Sequence, residues 1–157
     1  MTSSSRRPRS VPDRAIDAKE LVELWTDGSA YRPYPGPSGM GIIAKVKGVT
    51  IFEVGESAGI GTHNTAEYLA AITALRRANK LGARRVFLRT DSKVVVQQFL
   101  GNWRCRAETL VPLLPTLREL ADGFDEFRIE WIPRRQNREA DARAAIGSRA
   151  SRLELNS

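Results

Sequence analysis

A chain of 157 residues has the length of one domain, since chains divide mainly beyond roughly 250 to 300 residues. Its content, 41% hydrophobic and 27% charged, is that of a globular protein and excludes a disordered or collagenous one. A single cysteine, Cys105, and a single histidine, His63, exclude intramolecular disulfides, thiolate zinc clusters and multi-histidine metal sites.

The lone cysteine points to a reducing compartment, and no apolar run approaches the roughly 18 residues of a membrane span. The expectation is a soluble, cytoplasmic monomer. The net charge is +7, of which residues 1–20 carry +2. Excess positive charge favours polyanions, because each neutralised phosphate releases a condensed counterion.

Residues 1–20 are expected to form a flexible basic arm, with 1–13 almost devoid of apolar side chains. The domain proper is placed at 21–147, and 148–157 are read as a tail. Leu21–Asp27 is a strand ending at a glycine, and Tyr31–Gly39 is a loop dense in Pro and Gly. Met40–Val46 and Val49–Val54 flank Lys47-Gly48 and make a hairpin.

Thr65–Lys80 has helical spacing and stops at Leu81-Gly82. Arg85–Thr90 is a strand, and Ser92–Leu100 a short helix closed by Gly101. Leucines recur at helical spacing from Leu110 to Leu120, so that helix either kinks at Pro115 or begins there. Phe127–Ile132 alternates as a strand and Asn137–Ile146 is a last helix. This order, β-β-β-α-β-α-α-β-α, implies an α/β fold: a five-stranded mixed sheet with helices on both faces.

Two segments echo one another. Leu24-Trp25-Thr26-Asp27-Gly28 closes the first strand and Leu88-Arg89-Thr90-Asp91-Ser92 the fourth. If those strands are parallel neighbours, about 4.8 Å apart, both carboxylates stand together at the edge where open α/β sheets place their sites. Carboxylates that close repel unless a proton or cation lies between them. Each also has a local reading. Asp91 fits the N-cap of the helix at Ser92, and Asp27-Gly28 fits a turn.

Glu67 is equally open. Asn64-Thr65-Ala66-Glu67 fits a capping box, yet Glu67 shares a helix face with Ala70, Ala71, Ala74 and Ala78, which suits close packing on a sheet. In the last helix Asp141 aligns with the apolar side. Glu139 aligns with Arg143 at i+4, a solvated ion pair.

In order, Asp27-Gly28-Ser29, PGPSGMG, Thr62-His63-Asn64-Thr65-Ala66-Glu67-Tyr68, Thr90-Asp91-Ser92-Lys93 and Trp131-Ile-Pro-Arg-Arg-Gln-Asn-Arg-Glu-Ala-Asp141 resemble the motifs of ribonuclease H type 1. The match runs from about Leu21 to Ile146. Gly101-Asn-Trp-Arg is similar to the link in bacterial and archaeal members that lack the long basic handle.

The resemblance implies the ribonuclease H-like fold and two Mg²⁺ ions, replaceable by Mn²⁺, held by Asp27, Glu67, Asp91 and Asp141. It implies cutting of the RNA strand of an RNA–DNA hybrid, leaving 5′-phosphate and 3′-hydroxyl ends. The 2′-hydroxyl distinguishes that strand and is sensed from the minor groove. Gly28, Ser29, Ala30 and Asn64 correspond to positions near that groove.

Departures from the family pattern bear on the remaining contacts. The loop before Asp141 has no histidine, which leaves Arg134 or Arg135 either to share its role or to be solvated charges. His63 stands where asparagine is common and faces the groove, and Tyr34 replaces the asparagine of the usual Asn-Pro-Gly-Pro. Thr62 is a DNA-phosphate contact or a helix cap; Trp103 stacks on a sugar or packs over the sheet edge. Rival readings are a proofreading-type exonuclease, which needs an acid where Ser29 stands, a relative that also cuts double-stranded RNA, and an inactive nucleic-acid-binding module.

Overall fold

The computed structural model describes residues 14–157. Its elements are β1 (Leu21–Ala30), β2 (Gly36–Val46), β3 (Val49–Gly61), α1 (His63–Lys80), β4 (Arg85–Thr90), α2 (Lys93–Phe99), α3 (Leu113–Asp122), β5 (Glu126–Trp131) and α4 (Arg138–Asn156). They form one sheet in the order β3-β2-β1-β4-β5. The first three strands pair antiparallel, and β4 and β5 then add in parallel. Lys47 and Gly48 both take positive φ in the β2–β3 turn, as tight hairpins with right-twisted strands require.

Alternation along β2 separates the two helical layers. Met40 Sδ accepts from Thr73 of α1, whereas Gly41 faces α4. A Cβ on Gly41 would stand 1.9 Å from the Ala140 carbonyl oxygen, so α4 rides directly on the strand backbone. The main core lies on the other face, where Leu24, Ile42, Phe52 and Leu88 of the sheet meet Tyr68 and Leu75 of α1 and Leu117 of α3. Pro115 falls in the first turn of α3, where a missing N–H costs nothing, so that helix begins around the proline and does not kink there.

Packing among the described residues extends beyond 21–147 at both ends. Ile16 is buried and its N–H donates to the Leu81 carbonyl at 2.8 Å, so residues from Arg14 onward join the domain. Segment 1–13 of the expected arm lies outside the described residues. At the other end α4 continues to Asn156 through the expected tail. The apolar spacing fades after Ile146 because the inward residues become small: Gly147, Ser148 and Ser151 are buried, and Ser151 Oγ donates to the Gly59 carbonyl at 3.1 Å.

The expected Glu139–Arg143 pair does not form. α4 crosses β2 and β3, which supply nearer partners: Lys45 meets Glu139 at 2.9 Å, and Arg143 meets Glu53 at 3.3 Å.

Candidate active site

Parallel register brings Thr26 opposite Thr90, so Asp27 and Asp91 follow side by side. Asp27 does not end its strand, as the sequence suggested. β1 runs on to Ala30 by pairing with β2 alone, while β4 stops at Thr90. The flank of β1 at Asp27 is thereby left open, and a cleft of about 170 Å³ forms there. Asp27, Gly28, Ser29, His63, Glu67, Asp91, Arg134 and Asp141 line it.

Both helix-capping alternatives resolve in favour of free carboxylates. The cap of α2 is Ser92, whose Oγ accepts from the Val95 N–H at 3.1 Å, so Asp91 has no capping task. At α1 the capping box joins Thr62 and Thr65: the Thr65 N–H donates to Thr62 Oγ1 at 3.1 Å, and the Thr62 N–H to Thr65 Oγ1 at 2.8 Å. Glu67 lies beyond this box and turns to β1, where its Oε1 accepts from the Gly28 N–H at 2.6 Å. Glycine is required at 28 because a Cβ would stand 2.3 Å from the backbone nitrogen of Glu67.

Asp27, Glu67 and Asp91 each present a carboxylate oxygen within 4.8 Å of the others. Asp141, the half-exposed fourth acid, lies near enough to Asp27 to help raise its carboxyl, and meets Arg134 at 4.0 Å. Burial, and then the charges of Glu67 and Asp91, raise the Asp27 carboxyl far above the usual range. Burial and the charge of Asp91 raise Glu67 as well, against the lowering effect of Asp27 and the Gly28 N–H. Such a cluster fits a hard divalent cation: every converging donor is a carboxylate oxygen, and the arrangement is costly when ionised without one.

A pH dependence follows. With raised carboxyl pKa values the folded state binds more protons than the unfolded chain, so stability falls as pH rises from about 4 through the raised values. Thermal unfolding in chelator across that range should show the decline. A divalent ion that binds only the folded form should reverse it at neutral pH. A chelated protein whose stability rises from pH 5 to 8 would contradict the coupling.

The remaining expected contacts divide. Ser29 and His63 line the cleft, and His63 packs edge-on against Tyr34 with ring centroids 5.3 Å apart. Asn64 is exposed in the first turn of α1, and Ala30 pairs with Ser38 at the end of β1. Thr62 serves as the helix cap. Arg134 reaches the acids, whereas Arg135 lines a neighbouring pocket with Trp25 and Lys45. Trp103 is half-exposed and does not line the acidic cleft; its N–H donates to the Gln97 carbonyl.

Two residues at the site escaped the sequence reading. Trp131 Nε1 donates to the Asp91 carbonyl oxygen at 3.1 Å, and Asn137 Nδ2 donates to the Asp91 carboxylate at 3.2 Å. Their signal was their place at the two ends of the loop that leads to the last acid.

A family model described as "Reverse transcriptase-like" matches residues 16–147, which take in all four acids. The chain belongs to the ribonuclease H type 1 family. Ribonuclease HI of Halobacterium salinarum is 38% identical over 124 residues, 78% of this chain and 62% of that protein. The bifunctional protein Rv2228c of Mycobacterium tuberculosis is 35% identical over 122 residues, 76% of this chain and 33% of that protein. This chain thus spans a third to under two thirds of the length of these relatives.

The N-terminal ribonuclease H domain of Rv2228c, solved as a maltose-binding-protein fusion, superposes with a TM-score of 0.81 at 32% identity. That match covers 87% of this chain and 99% of that one. LC11-RNase H1, isolated from compost and solved in complex with an RNA/DNA hybrid, gives 0.73 at 29% identity, covering 79% and 94%.

Proposed function

We propose that this protein is an endonuclease that hydrolyses the RNA strand of RNA–DNA hybrids and leaves 5′-phosphate and 3′-hydroxyl ends. The observation that carries the reading is the convergence of Asp27, Glu67 and Asp91 at the open flank of β1, with Asp141 beside them. The hybrid bound by LC11-RNase H1 supports the choice of substrate.

In this reading Asp27, Glu67, Asp91 and Asp141 hold two Mg²⁺ ions, with Mn²⁺ as a substitute. When bound, such ions activate water and stabilise the leaving oxygen of an in-line displacement. The chain's own groups prepare the site: Gly28 allows α1 to approach β1, its N–H fixes Glu67, and Ser92 releases Asp91 from the helix. Gly28, Ser29, Ala30 and Asn64 flank the minor groove and His63 faces it. Trp103, Arg134 and Arg135 take sugar or phosphate contacts, and the basic segment 1–13 adds nonspecific affinity. The protein works as a monomer and in the cytoplasm, the second supported by the lone cysteine; among the described residues no helix is long and apolar enough to cross a membrane.

The test compares cleavage of a labelled hybrid, duplex RNA and duplex DNA with Mg²⁺. Cutting of the RNA strand of the hybrid is expected. Cutting of duplex DNA, or none at all, would overturn the assignment, and cutting of duplex RNA would extend it.

One pair of substitutions tests the site itself. Glu139→Gln should leave turnover near that of the parent, because it severs an exposed bond to Lys45 worth about 0.2–1 kcal/mol. Asp141→Asn should lower turnover strongly, and Mn²⁺ should restore part of the loss by binding more tightly. Turnover in Asp141→Asn as near the parent's as that of Glu139→Gln would place Asp141 outside the reacting group of acids.

A further inference from the structure

Asn137 precedes α4, a position where asparagine ordinarily turns its side-chain oxygen onto the first free N–H groups of the helix. Here it does not. Its side chain makes no cap hydrogen bond, the residue is 1% exposed, and Oδ1 has no partner among the described residues. Nδ2 instead donates to the Thr26 carbonyl at 2.9 Å and to Asp91 Oδ1 at 3.2 Å. Two amide hydrogens meet two acceptors, which fixes the orientation: reversed, an oxygen would face a carbonyl and a carboxylate. A residue that forgoes its local role and leaves a buried oxygen unpaired marks a place where function overrides local stability.

Asp91 needs such a partner. It stands one residue past the end of β4, and the cap of α2 is made by Ser92. Trp131 holds its carbonyl oxygen, and among the described residues only Asn137 donates a hydrogen bond to its carboxylate. An amide suits that task. It is neutral, and its nitrogen has no lone pair to offer a cation, so it orients a carboxylate without competing as a ligand.

We propose that Asn137 is a positioning residue for the acid cluster: it aims the Asp91 carboxylate toward Asp27 and Glu67 and ties that aim to β1 through the Thr26 carbonyl. The inference rests on the nuclease reading of the cluster. It makes the start of α4 part of the site through two residues, Asp141 beside the reacting atoms and Asn137 behind them.

The experiment uses the full chain with Asn137→Ala and Asn137→Asp, the second keeping the volume but replacing the donor. Calorimetric titration with Mn²⁺ alone, turnover and KM on a hybrid, and thermal unfolding in chelator are measured together. Mn²⁺ affinity and kcat should each fall by roughly 10- to 100-fold, the usual effect of removing a group that orients a metal ligand. KM should stay near that of the parent. A folded Asn137→Ala protein with parental Mn²⁺ affinity and kcat would overturn the proposal. Should that variant fail to fold, parental values in Asn137→Asp would overturn it equally. A parent protein that binds Mn²⁺ but does not cut the hybrid would overturn the nuclease reading instead, and the ion affinities would still decide the role of Asn137.

Discussion

Asp27→Asn is expected to abolish hybrid cleavage while leaving the fold intact. Asp27 is the most enclosed of the acids, 6% exposed, and the one in contact with both Glu67 and Asp141. Removing one preorganised group that stabilises developing charge costs roughly 10²- to 10³-fold in turnover, and the loss of a central ligand acid should reach at least that. Stability should move the other way. An amide of the same shape removes a carboxyl that, without metal, must hold its proton far above its ordinary range because burial and two acidic neighbours oppose its charge, so in chelator at neutral pH the variant should melt at or above the parent temperature. Divalent ions should raise the parent's melting temperature more than the variant's. Retained turnover would remove Asp27 from the chemistry, and a lower melting temperature in chelator would make its carboxyl structural.

Gly28→Ala should be nearly as damaging by a different route. The added Cβ would meet backbone atoms, Glu67 N at 2.3 Å and Ala66 C at 2.4 Å, which cannot rotate away as a side-chain end can. Either β1 or the first turn of α1 must shift. Overpacking of this kind costs about 1–3 kcal/mol, enough to lower the melting temperature but not to unfold a domain of ordinary stability. The same shift breaks the bond from the Gly28 N–H to Glu67 and displaces a carboxylate whose placement matters to fractions of an ångström. A displacement near 1 Å costs roughly 10²-fold in rate. Turnover measured well below the melting temperature should therefore fall far more than stability does. Parental turnover would mean that the contact between α1 and β1 does not set the position of Glu67.

What the sequence could reveal followed from repetition in the backbone. The Thr-Asp echo was legible because parallel strands place equal positions side by side, and the register of Thr26 with Thr90 is the physical form of that echo. Glycine signals likewise marked the β2–β3 turn and the end of α1. Capping was legible only as a competition. Ser92 and the Thr62–Thr65 pair win it, and no local rule says that a serine or threonine one or two positions away will spare an acid. Asn137 was hidden for the converse reason, since an asparagine before a helix reads as a cap and its actual acceptors, Thr26 and Asp91, are distant in the chain.

The second half of α4 was missed because the argument from apolar spacing fails where a helix packs through Gly147, Ser148 and Ser151. Small residues allow the closest approach and carry the least hydrophobic signal. Arg134 and Arg135 show the same limit on a smaller scale. Adjacent in sequence, they line different pockets, because a single turn of 3₁₀ helix from Arg134 to Gln136 points them apart.

In the proposed reaction this cluster of acids directs water, and not a neighbouring hydroxyl of the RNA, at the phosphodiester bond. The ends left on the RNA strand decide it. A hybrid labelled on each strand, digested with Mg²⁺ and resolved by mass spectrometry, should yield RNA fragments with 5′-phosphate and 3′-hydroxyl ends and an intact DNA strand. Fragments ending in a 2′,3′-cyclic phosphate would mean that the 2′-hydroxyl is the nucleophile, and would contradict the account.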